Sequence, residues 1–146
     1  MLGVLNTRVA SSPAAQLSTR TIYRVALLLL CSAYLQGGFT KLANFQGAIG
    51  EMQHFGLAPA AFFAAAVIVL ELGASVAILM GFWRWLAALA LALFTLGATF
   101  IANRFWEIPA PERFMAMNAF FEHLGLVGGF VLVAWYDLRL RAAPRQ

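Results

Sequence analysis

Glu71 carries the most conspicuous chemistry in this sequence. It lies within an apolar run from Ala58 to Phe82 that is long enough to cross a bilayer. An ionised carboxylate is costly at that depth, so an intramembrane Glu is a candidate functional group. In the alternative interpretation Glu71 is protonated, bonds Ser75 one turn away or a neighbouring carbonyl, and serves helix association.

The spacing of residues in the last apolar segment predicts a second inward-facing carboxylate. One helical face of that segment carries Asn118, Glu122, Gly125 and Gly129. Gly125 and Gly129 form a GxxxG pair, which lets a neighbouring backbone approach closely, so we expect Glu122 to face protein. His123 is rotated by about 100° from Glu122 and would face another groove or another subunit.

Two cations complete a predicted polar cluster. Lys41 shares a helical face with Tyr34 and would lie near the outer membrane edge, as would Arg104. The predicted cluster opens outward, has Glu71 as its floor, and contains Lys41, Arg104 and Glu122 with His54 or His123. It could bind a polar head group while aromatic walls hold an apolar tail. In the alternative interpretation Lys41 and Arg104 are anchors that snorkel, which is the more common role of basic residues at span ends.

The composition excludes several kinds of redox or metal centre. Cys31 is the sole cysteine, so this chain has no dithiol pair and no thiolate metal cage. His54 and His123 are too few for a haem or copper bundle, and we expect no metal site. No Gly-rich phosphate loop or dinucleotide fingerprint is present. If electrons pass, a quinone, a partner's flavin or a partner's cysteines must carry them.

Helical membrane spans must position these residues. Hydrophobic residues make up 62% of the 146-residue chain and charged residues 11%, and apolar stretches of membrane-spanning length recur. We place four spans near Ile22 to Phe39, Ala60 to Gly81, Trp85 to Ala102 and Asn118 to Tyr136. Backbone groups in hydrocarbon must be satisfied within each segment, so the sequence predicts an all-α, membrane-embedded four-helix bundle.

Positive charges predict the orientation of the bundle. Seven of the ten Lys and Arg residues fall before the first span, between spans two and three, or after the fourth. We therefore expect both termini to be cytoplasmic. The predicted organisation is a mobile N-terminal tail at 1–20, a transmembrane domain at 21–137 and a basic tail at 138–146. The partner of this charge is the bilayer and not nucleic acid, because the arginines form no patch.

The two outer loops have different predicted structures. Behind Asn44, apolar residues at helical spacing predict a short amphipathic helix on the outer membrane face. The members of that stripe are Phe45, Ile49, Met52 and Phe55. The second loop carries Pro109 and Pro111, so we expect it to be irregular.

At these residues the sequence resembles the DoxX family of small bacterial inner-membrane proteins, over roughly Arg20 to Tyr136. The resembling pieces are Gly-Gly-Phe-Thr-Lys at 37–41, a loop with Phe45, Gly47 and Met52, Glu-Leu-Gly-Ala at 71–74, Gly81-Phe82 followed by Arg84, the segment 103–106, and Asn118 with Phe121. The resemblance implies a four-helix bundle in the inner (cytoplasmic) membrane. For some relatives it implies membership of thiosulfate:quinone oxidoreductases or other membrane redox assemblies. Only Lys41 and Glu71 match recurrent polar positions of the family.

The fourth span departs from the family pattern. Where relatives often have Lys and a polar amide after the Asn, this chain has Glu122 and His123. If that Lys balances the buried Glu in relatives, Glu71 must here pair with Lys41 or Arg104, or remain protonated.

Three functional hypotheses follow. The first is a quinone-interacting or redox-accessory subunit of a membrane oxidoreductase system, with quinone as cofactor and a redox partner protein. The second is a binder or transporter of a small apolar or weakly acidic compound in the same pocket. The third is a structural or assembly subunit whose glycine stripe recruits a partner. A homo-oligomer could complete the site in any of them.

Overall fold

The computed structural model describes residues 13–143, with side chains from Ser18 onward. All its regular secondary structure within these residues is helical. The helices are α1 (Pro13–Ala43), α2 (Phe45–His54), α3 (Ala60–Met80), α4 (Arg84–Ala102) and α5 (Arg113–Ala142). Four of them, α1, α3, α4 and α5, are long and apolar enough to cross a membrane. The predicted all-α bundle with four spans is confirmed.

The first and last helices extend beyond the predicted spans. α1 begins at Pro13, where a proline is well tolerated because the first helical N–H groups have no intrahelical partner. α5 begins at Arg113, five residues before the predicted span, and continues to Ala142, six residues beyond it. Of the predicted tails, residues 1–12 and 144–146 lie outside the described residues. The mobility of both tails stays a prediction.

The loop after α1 forms the predicted short helix. The Asn44 side chain accepts a hydrogen bond of 3.0 Å from the Gly47 N–H and so caps the start of α2. Ala48 and Met52 are buried against Ala64 of α3. α2 therefore lies across the outer part of α3. The second loop is irregular over 103–112, as the prolines predict.

A tight turn reverses the chain between α3 and α4. Gly81 has a φ of 82°, a left-handed conformation that glycine adopts without strain, and its N–H bonds the carbonyl of Ala77 at 3.0 Å. This C-cap ends α3 and starts α4 antiparallel to it.

The spans pack in the order α1, α3, α4, α5, and α1 contacts α5 much less than the other neighbours contact each other. The most deeply buried side chains of the central core include Leu27, Cys31, Ile78, Leu91 and Phe130. Because the number of spans is even, α1 begins and α5 ends on the same side. We call that side inner, following the predicted topology, whose cytoplasmic assignment stays a prediction.

Candidate functional site

An ion pair joins the outer end of α1 to the middle of α3. Glu71 is eleven residues into α3, about 16 Å from its outer end, and is 6% exposed. The Lys41 Nζ lies 3.3 Å from Oε1 and 3.4 Å from Oε2 of Glu71. Lys41 thus contacts both oxygens of one carboxylate. Of the partners that the sequence leaves open for Glu71, the structure selects Lys41.

Two glycines bring the helices of this pair together. A Cβ at Gly38 would lie 2.7 Å from the side chain of Leu72, so α1 could not approach α3 this closely with a larger residue there. A Cβ at Gly37 would lie 3.4 Å from Glu71 Oε2 and 3.5 Å from Lys41 Nζ. The surface of α1 formed by Gly37, Gly38 and Lys41 is therefore the one on which α3 packs.

Tyr34 lies one to two turns further inward on the same face of α1 and is buried. Its hydroxyl bonds Thr95 Oγ1 on α4. Because the Thr95 hydroxyl donates to the Leu91 carbonyl at 2.7 Å, the Tyr34 hydroxyl is the donor. The Tyr34 ring meets Phe130 of α5 edge-on, with centroids 5.2 Å apart. Tyr34 thereby joins three spans beneath the ion pair.

Ser75 does not take the role that the alternative interpretation assigns to it. Its side chain is fully buried one turn beyond Glu71, yet its hydroxyl has no hydrogen-bond partner among the residues that the structure describes. The alternative in which Glu71 bonds Ser75 is therefore wrong, and both carboxylate oxygens contact Lys41 instead.

Arg104 does not join the predicted cluster. It is exposed in the second loop and pairs with Glu107, Nη1 to Oε2, at 3.2 Å. Arg104, Glu107 and His54 instead line an outer surface depression of about 240 Å³ between α2 and the end of α4. A partner three residues away in the same loop holds the guanidinium at the water interface, so the prediction of one cluster is wrong for Arg104.

The prediction that Glu122 faces the interior is also wrong. Asn118, Glu122 and Gly125 are exposed, and a Cβ at Gly125 would meet nothing within 4 Å. Of this stripe only Gly129 packs closely, against Leu30 of α1. The buried residues of α5 are Phe120, Phe130, Ala134 and Asp137. Large aromatic rings make more dispersion contacts with the neighbouring spans than glycines do, which favours the rotation that buries Phe120 and Phe130.

His123 connects α5 to the end of α4. Its Nδ1 lies 3.1 Å from the amide nitrogen of Asn103, which also donates to Thr99 Oγ1 at 3.2 Å. The contact joins the C-terminal end of α4 to a position ten residues into α5. His123 therefore faces another groove than Glu122, as expected from its rotation.

A second polar centre, which the sequence patterns did not predict, lies at the inner side. Asp137 is buried and accepts hydrogen bonds from Arg141 Nε at 2.8 Å and from the Trp85 N–H at 3.3 Å. Arg84 Nη1 lies 3.8 Å from Asp137 Oδ1, and its Nε donates to the Ile78 carbonyl at 2.8 Å. The signal was the spacing of Asp137, seven residues after Phe130 and four before Arg141, which places it on the buried face. This centre ties the ends of α3, α4 and α5 together.

Comparison with known proteins places the ion pair in a family context. The family model described as DoxX matches residues 21–104, which include Lys41 and Glu71 but not α5. The inner membrane protein YphA of Escherichia coli (strain K12) is 29% identical over 114 residues, 77% of this chain and 79% of YphA. No solved structure matches the chain significantly.

Proposed function

The chain belongs to the DoxX family and is a multi-pass protein of the bacterial inner membrane, and from that premise we propose that it is a quinone-interacting, redox-accessory subunit of a membrane oxidoreductase system. The observation that carries the proposal is the buried Lys41/Glu71 ion pair, whose carboxylate lies halfway along α3. Such a pair places a proton donor and a carboxylate at a depth where a lipid-soluble head group can reach them.

Stability alone gives a weak reason for this ion pair. Two charges lose their hydration when they are buried, and apolar residues of similar volume in their place are often as stable or more stable. Lys41 and Glu71 have side-chain exposures of only 17% and 7%. A costly pair with no clear stability gain supports a functional role.

The side chains present fit a quinone head group. A Lys ammonium has three N–H donors, and the two contacts with Glu71 engage at most two of them, so at least one remains for a carbonyl oxygen. Lys41 is the more exposed member of the pair and would make the contact, while Glu71 would hold or release a proton beside it. A bound quinone would supply the electron-carrying chemistry. The sole cysteine, Cys31, is fully buried. A partner protein with a flavin or paired cysteines would therefore exchange electrons with the bound quinone.

Mass spectrometry of solvent extracts from the mildly purified protein tests this proposal. We expect quinone to be retained by the wild type and lost from Glu71→Gln and Lys41→Gln. Arg104→Gln is the matched control, because Arg104 is exposed and pairs elsewhere. Thermal unfolding of each variant would separate loss of quinone from loss of the fold. Equal retention in all four proteins, or phospholipid alone in all four, would refute the proposal.

A structural or assembly subunit is the second candidate. The observation that favours it is the polar face of α5, where Asn118 and Glu122 are exposed to the surroundings of the described residues 13–143. In that case Glu71→Gln would leave quinone-dependent activity of the cell membrane unchanged, whereas Glu122→Leu would release a co-purifying subunit. A binder or transporter would use the same ion pair, and the same extracts would contain another compound.

A further inference from the structure

The ion pair lies beneath the outer end of α1. α1 ends at Ala43, two residues beyond Lys41, whereas α3 extends outward from Glu71 for a further eleven residues. The level that α1 does not reach is occupied by α2, whose buried residues pack against Ala64 of α3. The short helix α2 is therefore the element that lies outward of the pair.

α2 brings a second carboxylate to the outer side of the pair. Glu51 is exposed on α2, whereas Ala48 and Met52 are buried. A helix with one polar and one apolar face lies at the boundary between membrane and water. The charge of Glu51 is close enough to act on Glu71. Outward of Glu71 the chain therefore has the Lys41 ammonium in direct contact and a carboxylate at the water interface.

The polar side chains on the inward side of the pair do not continue toward the inner side. The Tyr34 hydroxyl donates to Thr95, and the Thr95 hydroxyl donates to the Leu91 carbonyl. A backbone carbonyl accepts hydrogen bonds but has no proton to pass on. Ser75, one turn inward from Glu71, has no hydrogen-bond partner among the described residues. Both possible inward routes for a proton therefore end at these groups.

An apolar layer separates these groups from the inner polar centre. Leu27, Ile78, Ala88 and Leu91 are 0 to 2% exposed and belong to one packed cluster of buried side chains from α1, α3 and α4. Their side chains have no polar atom that could hold a proton or bind a water molecule. The Cys31 thiol, which is part of the same cluster, is only a weak hydrogen-bond donor. The layer is therefore a barrier to protons.

We propose that Glu71 exchanges its proton only with the outer aqueous phase, and that Lys41 and Glu51 form the relay. Ionisable side chains within spans form the proton relays of membrane proteins. The titratable groups that face or act on Glu71 are Lys41 and Tyr34 of α1 and Glu51 of α2. α4 contributes Thr95, which bonds Tyr34 and does not titrate.

The relay transfers protons without leaving a net charge in the membrane. For outward transfer, the Lys41 ammonium gives a proton to the Glu51 carboxylate and takes one from the protonated Glu71 carboxyl group. Glu51 then releases its proton to water. Lys41 is again an ammonium, and Glu71 is again its paired carboxylate. Inward transfer from the outer side is the same sequence in reverse.

The consequence for redox chemistry rests on the proposed quinone site. Reduction of a quinone to the quinol takes up one proton for every electron, and oxidation of the quinol releases them again. The partner's flavin or paired cysteines exchange the electrons, and Glu71 exchanges the protons. Quinol oxidation at this site would therefore acidify the outer side, and quinone reduction would consume protons from that side.

Infrared difference spectroscopy on oriented vesicles tests the sidedness. Vesicles whose C-terminal tag is inaccessible present the outer side of the protein to the bulk solution, and vesicles with an accessible tag present the inner side. Each receives an acid step in the bulk, while a trapped dye reports the pH of the lumen. The Glu71 signal is the carboxyl band that the wild type shows and Glu71→Gln lacks.

We expect the Glu71 band after the step on the outer side. No Glu71 band should follow the step on the inner side as long as the pH of the lumen is unchanged. A band that follows the inner step, follows both steps equally, or follows neither step would overturn the proposal.

Glu51→Gln tests the relay, because it removes the proton acceptor at the interface and keeps the size of the side chain. We expect the Glu71 band to appear roughly tenfold more slowly after the outer step and to reach its wild-type size at saturating acid. Glu107→Gln is the matched control, because Glu107 is also an exposed outer carboxylate but pairs with Arg104. Equal rates in the wild type and Glu51→Gln would contradict the relay.

The failure of this inference is distinguishable from the failure of the proposed function. Quinone retained in the solvent extracts, together with a Glu71 band that follows the inner step, would refute the sidedness alone. A band that follows only the outer step, in a protein that retains no quinone, would refute the quinone site and support the outward proton route.

Discussion

Removing one member of the Lys41/Glu71 ion pair should destabilise the chain far more than removing both. The charges lie 3.3 Å apart and are 17% and 7% exposed. At an effective dielectric constant of about 20, their attraction is about 5 kcal/mol. Lys41→Met leaves Glu71 without its cation, and Glu71→Leu leaves Lys41 without its anion. We expect each to lower the free energy of unfolding by about 3 to 5 kcal/mol.

The double variant Lys41→Met with Glu71→Leu buries no charge and fills a similar volume. Its free energy of unfolding should lie within about 2 kcal/mol of the wild type. The double-mutant cycle formed by the wild type, the two single variants and the double variant should therefore give a coupling energy of several kcal/mol. Reversible unfolding in lipid bicelles would measure the free energy of unfolding of all four proteins. The matched cycle on Arg104 and Glu107, which are 51% and 55% exposed, should give about 1 kcal/mol or less. Similar coupling energies in both cycles would refute the argument that burial makes this pair strong.

Three further predictions concern packing, the inner polar centre and topology. Gly38→Ala should lower the free energy of unfolding by about 1 to 3 kcal/mol, because the added methyl group clashes with Leu72. Gly73→Ala, where the added methyl group meets open space, should not lower it, and equal effects of the two variants would contradict the packing described. Asp137→Ala should lower the unfolding free energy by about 3 kcal/mol because it leaves buried donors unpaired, and Arg141→Ala, half-exposed, should have a much smaller effect in the same assay. Green fluorescent protein fused to either terminus should fluoresce and alkaline phosphatase should be inactive, and the reverse pattern would invert the predicted topology.

The sequence predicted the local elements of this fold because their causes are local. In hydrocarbon each segment must satisfy its own backbone groups, so an apolar run of sufficient length is a helix wherever it packs. The α2 helix follows equally locally from the Asn44 cap and its apolar spacing. The ends of α1 and α5 were less predictable, because helices continue into the interface where water can satisfy their side chains.

The candidate site was predicted in part. Glu71 and Lys41 are recognisable in the sequence because they are charged residues within apolar runs. The structure brings the two side chains together as an ion pair. Arg104 and Glu122 stand out by the same criterion, yet the structure places them elsewhere. Asp137 was overlooked because it lies near the end of a span, where a charge has no evident cost.

By itself, the sequence determined which segments cross the membrane and which polar residues must be accounted for. Only the tertiary structure decided which face of each helix is inside. In water the buried face of a helix is recognisable because the opposite face is polar, but in lipid both faces are apolar and that contrast disappears. The rotation of α5 therefore depends on how Phe120 and Phe130 pack against the other spans, which turns Glu122 outward and Asp137 inward.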